Sequence, residues 1–377
     1  MIIKRKVCLR CIMDTTAEGI VFDDKGQCNY CTKFLNLLKK YKPLSREMQQ
    51  KKLSLLIEKV KRDGRNKPYD CIVGVSGGVD SSYALHITKK FGLRPLAVHM
   101  DNGWDSELAQ QNIEHLVKGL GVDLYTYVID WDEYRSLMQA FFDADVIDVE
   151  LLYDNALSAV VHMMAKKYGI EYILAGSNTM TEGMSIPPNW NWFKFDKKNI
   201  YAIAKQFGDI KIKSFPAIAH REKLYYSYIR KIKWISFLDY FEYNKFEALK
   251  ILQSQYNYKP YPYKHYESVF TRFYQGYILP QKFGVDKRKL HLSTLIISGQ
   301  MLREEAIKMM ENIPYPSQSD LDEDITYFLK KMRWNKTDLE EYLSRPEKSH
   351  LLYGSEMRLF DFLRKMKRRY SCYRVRK

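Results

Sequence analysis

The sequence predicts an α/β protein built on a parallel sheet, and three observations carry that prediction. Apolar runs of strand length alternate with segments of helical period between Asp70 and Ala175. A glycine-rich turn, Ser76-Gly77-Gly78-Val79-Asp80-Ser81-Ser82, joins the first of those runs to the helical segment after it. Two Cys-x-x-Cys pairs precede this region, and a long aromatic and basic stretch with helical spacing follows it. Strands that alternate with helices pair in parallel, with helices on both faces. The expected division is residues 1–45 as a cysteine ribbon, 46–210 as the α/β unit and 211–377 as a mostly helical region that supplies the substrate or partner side.

Cys8-x-x-Cys11 and Cys28-x-x-Cys31 are separated by sixteen residues, the spacing of a tetrahedral zinc site. Each pair forms a knuckle that offers two thiolates from one turn. Between them, Ile20-Val21-Phe22 reads as a strand and Asp23-Asp24-Lys25-Gly26 as a tight turn. Four thiolates close the coordination shell, so the expected Zn2+ is structural. Disulfides are the competing reading, which a reducing compartment disfavours. Cys71 and Cys372 form no pair in sequence.

Lys33 to Lys61 is rich in Leu and Lys at helical spacing and is broken at Pro43, and Arg62–Pro68 signals a loop. Strands are expected at Asp70–Val75, Pro95–Met100, Leu124–Ile129 and Tyr172–Ala175. Helices are expected up to Phe91, over Glu107–Leu120, and in stretches reaching Tyr168. Ligands of such sheets bind beyond the carboxyl ends of the strands. That rule singles out Ser76–Ser82, Asp101 with Asn102, and Gly176 as candidate nucleotide contacts.

Two glycines in Ser76–Ser82 let backbone N–H groups approach an anion, and the following helix aims its positive end at the same point. Ser76, Ser81 and Ser82 add hydroxyls, and Asp80 is placed to hold Mg2+ beside phosphates. No Lys stands where a Walker loop requires one. The cradle is of another kind.

The 377 residues carry a net charge of +16, much of it in the last fourteen positions. Such a tail suits a solvated helix end, an acidic partner or a membrane surface, and charge alone does not choose among them. No apolar stretch is long enough for a transmembrane segment, and no signal core follows Met1–Lys6. A cytoplasmic protein is expected.

Ser76–Ser82 resembles the SGGxDS signature of the PP-loop ATP pyrophosphatases, of the adenine nucleotide alpha hydrolase-like fold, which cleave ATP to AMP and pyrophosphate. A second set of strings lies further on: Lys264-His265-Tyr266-Glu267-Ser268, Asp286-Lys287-Arg288 through His291-Leu292-Ser293, and Ser298-Gly299-Gln300-Met301-Leu302-Arg303. With the Cys ribbon and Thr181-Glu182-Gly183, these resemble the N-acetyl sugar amidotransferases of bacterial surface-polysaccharide pathways. The resemblance implies conversion of an acetamido group to an acetamidino group on a nucleotide-linked sugar bound for O-antigen, or in relatives on a nonulosonic acid. It also implies ATP as cosubstrate and ammonia from a glutaminase pair resembling the two subunits of imidazole glycerol phosphate synthase. No glutaminase nucleophile motif is recognisable in the chain.

On that resemblance, Asp80, Lys264, His265 and Glu267 are the expected catalytic group. Lys264 would neutralise phosphate charge and His265 would accept a proton from attacking ammonia. ATP would contact Ser76, Gly77, Gly78, Val79, Asp80, Ser81, Ser82, Asp101 and Gly176. Glu182, Lys287, Arg288 and His291 are the expected substrate contacts, Arg288 being suited to a bidentate carboxylate or phosphate. Trp190, in a loop with Trp192 and Phe193, would stack on a sugar or base, or else form core beneath a lid. The main rival is a tRNA-modifying PP-loop enzyme. Of its two forms, a thiolase or a lysidine synthase, the thiolase needs further cysteines near the ATP site, and only Cys71 and Cys372 remain; on the family resemblance no nucleic acid partner is expected. An ATP-binding scaffold subunit would require a degenerate loop, and Ser76–Ser82 is intact.

Overall fold

The protein is seen in a computed structural model that describes residues 5–41, 46–262, 266–358 and 360–362. Five parallel strands form one sheet: β1 (Cys71–Gly74), β2 (Pro95–Asp101), β3 (Asp123–Val128), β4 (Tyr172–Ala175) and β5 (Lys233–Ser236), in the order β3-β2-β1-β4-β5. Helices α1 (Asn29–Tyr41) and α2 (Arg46–Gly64) precede the sheet. Between strands run α3 (Val79–Lys90), α4 (Glu107–Leu120), α5 (Trp131–Asp143) and α6 (Leu151–Lys167).

Burial explains the strand order. Cys71, Ile72 and Val73 are fully buried, as β1 must be when strands flank it and helices cover both faces. β3 at one edge is largely exposed, and Leu124 and Val128 face solvent. The expected α/β class and parallel sheet are present, and the four expected strands fall within one or two residues of their predicted bounds. The fifth strand comes from the stretch read as mostly helical. Lys233–Ser236 pairs with β4 in the register Ile173 to Trp234, and its short, half-polar sequence gives little strand signal. Past β5 the described chain is helical, including Lys245–Tyr256, Arg288–Ser298, Arg303–Glu311 and Gln318–Met332.

The amino-terminal segment is held by turns. Ile20–Phe22 makes a single bridge, Phe22 to Cys28, in place of the expected strand. The expected turn is there, with Gly26 donating to Asp23 O at 2.9 Å. Pro43 and the basic tail beyond 362 lie outside the described residues.

Candidate active site

β1 ends at Gly74, and the chain turns sharply before α3. Gly77 has φ +82°, and a Cβ there would sit 3.0 Å from the Ala109 backbone of α4, so both conformation and space demand glycine. Ser76 Oγ and Ser81 Oγ lie 3.2 Å apart, and Ser81 Oγ donates to Gly78 O at 3.2 Å. Gly78 caps α3 with no side-chain bond, leaving the first N–H groups of that helix to a ligand. At the end of β4, a Cβ on Gly176 would meet the Asp80 and Ser81 backbone at 2.7 Å. The end of β4 is therefore pressed against the first turn of α3, and the carboxylate of Asp80 accepts a hydrogen bond from Tyr243. Burial, reinforced by that carboxylate, holds the Tyr243 phenol well above its ordinary pKa.

These residues open onto a cavity of about 680 Å³. Ser76, Gly78, Val79, Asp80, Ser81, Gly176 and Glu182 line it on the sheet side. Glu267, Lys287, Arg288 and His291, from the chain beyond β5, line it as well. Glu267 is against the loop itself: a Cβ on Gly78 would stand 3.1 Å from its Oε1. The backbone explains that placement, because Glu267 O accepts Ser106 N at 2.9 Å and Ser268 bridges to Asp105.

Four of the expected contacts are not in the wall. Gly77 and Ser82 belong to the loop's inner side, Ser82 being fully buried. Asp101 instead accepts the Gly103 N–H at 2.7 Å, the ordinary chemistry of an Asp at a turn. Trp190 is corrected: its side chain is fully buried, and its indole N–H donates to Thr16 O at 3.3 Å. It fastens the ribbon to the α/β unit and has no surface to stack on a ligand. Lys264 and His265 lie outside the described residues.

Polar pairs floor the helical side. Lys287 Nζ reaches Glu150 at 2.7 Å, and Gln275 Nε2 donates to the same carboxylate at 2.8 Å. Gln275 sits on a π turn, Tyr274–Ile278, inside an otherwise α-helical run, and the extra residue brings Gln275 and Gly276 to the cavity wall. Lys194 bridges buried Asp148 at 2.7 Å and cavity-lining Asp154 at 2.8 Å. Burial works against both charges, yet each prevails for the other: Lys194 is raised and Asp148 lowered. Arg288 is largely committed, pairing with Asp286 at 2.8 Å and donating to Met309 O and Asn312 O. Its work is to hold the neighbouring helix in place.

Sequence reading missed Tyr243, Glu150 and Gln275. Tyr243 and Glu150 belong to no motif and reach the site through tertiary packing, whereas Gln275 stands in the string Phe273-Tyr274-Gln275 that shares the family resemblance but was given no role. Tyr258 and Tyr261 at the loop were also missed, although the run Tyr256-Asn257-Tyr258-Lys259-Pro260-Tyr261 was a visible signal.

The four ribbon cysteines are fully buried, and their sulfurs lie within 4.8 Å of one another. Cys11 and Cys28 are 3.7 Å apart and Cys8 and Cys31 are 3.9 Å apart. A tetrahedral zinc with bonds of about 2.3 Å sets sulfurs about 3.8 Å apart, so the donor set fits that ion. The knuckles dock on the cavity's helical wall. Ile12 N donates to Ser293 Oγ at 3.2 Å, Lys289 pairs with Asp14 at 2.7 Å, and Arg303 donates to Cys8 O and Cys11 O.

Two families match the chain. The NAD synthase family matches residues 48–184. The family described as LPS biosynthesis protein WbpG-like, C-terminal domain, matches residues 267–367. A comparison with curated proteins found no match. Solved structures with local likeness include NMN synthetase from Francisella tularensis (16% identity, 59% of this chain and 100% of that one, TM-score 0.30). They also include the predicted subunit of tRNA methyltransferase from Methanocaldococcus jannaschii (16%, 48% and 73%, 0.29). A third is NH3-dependent NAD synthetase from Campylobacter jejuni subsp. jejuni (15%, 55% and 83%, 0.29).

The parallel sheet, the glycine-rich loop and the NAD synthase match define a PP-loop protein, a fold that implies ATP binding. Together the two matches, over residues 48–184 and 267–367, support a WbpG-like PP-loop family member and an LPS-related, ATP-using PP-loop enzyme. Among the described residues, no helix is long and apolar enough to cross a membrane.

Proposed function

We propose that this protein is an AMP-forming N-acetyl sugar amidotransferase. The observation that carries the reading is that the wall of one cavity is shared between the phosphate loop and the WbpG-like region. One chamber thus offers a nucleotide cradle and a second binding surface within reach of it. In the proposed reaction the acetamido oxygen attacks the α-phosphorus of ATP and pyrophosphate leaves. Ammonia then adds to the activated carbon, a proton is removed, and AMP departs with the former amide oxygen. An amidine remains.

The chain's share of this work is positioning and charge. The loop N–H groups and the positive end of α3 hold the phosphates, and the apolar wall of Leu292, Leu295 and Met301 excludes water from the imidate. Glu267, set against Gly78, takes the proton from the attacking ammonia. Lys287 and His291 orient the sugar. The carboxylates of Asp80 and Glu182 line the cavity beside the cradle, and such hard oxygen donors suit Mg2+, which would offset phosphate charge. Ammonia would come from a glutaminase partner, and the sugar would be nucleotide-linked.

The test is incubation with magnesium, ATP, ammonium and a panel of nucleotide-linked diacetamido sugars and nonulosonic acids. Mass spectrometry should find one oxygen replaced by NH, with AMP formed in equal amount. Unchanged sugars together with a modified tRNA would overturn the reading.

A further inference from the structure

The peptide joining Gly77 to Gly78 is gripped from outside the loop. Tyr258 Oη donates to Gly77 O at 2.7 Å, and Tyr261 Oη donates to the same oxygen at 3.1 Å. Both tyrosines follow the helix Lys245–Tyr256, more than 180 positions further along the chain. Their segment is itself tied down by buried Asn112 of α4. That amide donates to Lys259 O at 2.9 Å and to Tyr261 Oη at 3.2 Å, and accepts Lys259 N at 2.8 Å. Burial pushes both phenols above their ordinary range, so they keep their protons and donate.

A trans peptide points its C=O and the following N–H in opposite directions. Fixing Gly77 O therefore also fixes the direction of the Gly78 N–H, which makes a long bond of 3.4 Å to Ser76 Oγ, and both residues line the cavity. Two adjacent glycines allow this unit to flip at little steric cost, and the flip would turn a carbonyl oxygen toward the anion. We infer that Tyr258 and Tyr261 are positioning residues that lock this peptide with its N–H toward the nucleotide phosphates. The inference rests on the loop being the ATP cradle.

The experiment compares Tyr258→Phe, Tyr261→Phe and the double variant with wild type. All keep the rings and remove only the donors. Tyr256→Phe is the control, because that hydroxyl bonds His86 at 2.7 Å, away from the loop. Calorimetry with ATP, pyrophosphate and adenosine is paired with thermal melts. The double variant should bind ATP and pyrophosphate about 10-fold more weakly. Adenosine affinity should hold, and each single variant should lose less because one hydroxyl remains. Wild-type ATP affinity in the double variant overturns the lock, as does an equal loss for ATP and adenosine. A wild-type protein that binds no ATP overturns the cradle reading and the lock with it.

Discussion

Gly176→Ala isolates the contact that presses the end of β4 against the first turn of α3. The backbone at Gly176 is not in the left-handed region, so alanine brings no conformational strain of its own. Its methyl would lie 2.7 Å from Asp80 C, Asp80 O and Ser81 Cα, about 0.7 Å inside the 3.4 Å at which ordinary contact begins. All three are main-chain atoms, so no side chain can swing away, and the first turn of α3 must move. Overpacking of this kind costs about 1–3 kcal/mol of stability. A displacement near 1 Å in a positioning element costs roughly 100-fold in rate. The variant should therefore fold, with Tm a few degrees lower, while kcat/KM for ATP falls about 30- to 100-fold. Pyrophosphate release at fixed sugar and ammonium, run beside a thermal melt, separates the two effects. Wild-type ATP kinetics in the alanine variant would refute the argument that this contact sets the loop.

Asp80→Asn keeps a partner for the Tyr243 hydroxyl but removes the charge, so AMP formation should fall at least about 100-fold with little change in Tm. A chelator, or Cys28→Ser, should lower Tm and weaken sugar binding more than ATP binding, because the knuckles dock on the helix Arg288–Ser298. His99 gives a pH signature. Its Nδ1 lies 2.9 Å from Val75 O and its Nε2 2.9 Å from Asp105 Oδ2, two acceptors that together require the doubly protonated ring. Burial opposes that charge, but the Asp105 carboxylate outweighs it and raises the pKa. A raised folded pKa means the stabilisation is complete below about pH 6.5 and is lost as pH rises through the folded value. Denaturant melts of wild type minus His99→Asn should show that loss, and a difference constant with pH would contradict it.

The central fold was legible because its signals are local. Ser76–Ser82 stands between an unbroken apolar run and a helix, and Tyr172–Ala175 is a buried strand bounded by turn residues. β5 was not legible, because Lys233–Ser236 is short and its pairing with β4 is decided at a distance. The site divides in the same way. Loop residues and Glu267 could be given roles from strings, whereas Gln275, though in the string Phe273-Tyr274-Gln275, owes its place at the wall to a π turn that no periodicity announces. Trp190 shows the opposite failure: an aromatic in a Pro-rich loop resembles a ligand platform until its burial against Thr16 is seen. Arg288 was recognisable as a charge but not as one engaged by Asp286 and two carbonyls.

The ribbon also fixes an order of events during synthesis. Ile12 and its partner Ser293 are 281 positions apart, so a ribosome that has just completed the knuckles has almost the whole protein still to make. At about 5–20 residues per second, that interval is roughly 15–60 s. During it the ribbon has neither Lys289 nor Arg303 to dock on, and its Cys side chains have only one another. A zinc ion held by the four thiolates would supply a fold that needs no later sequence. Without the metal, the knuckles would lose the shape that brings Ile12 N, Asp14 and the Cys8 and Cys11 carbonyls to Ser293, Lys289 and Arg303.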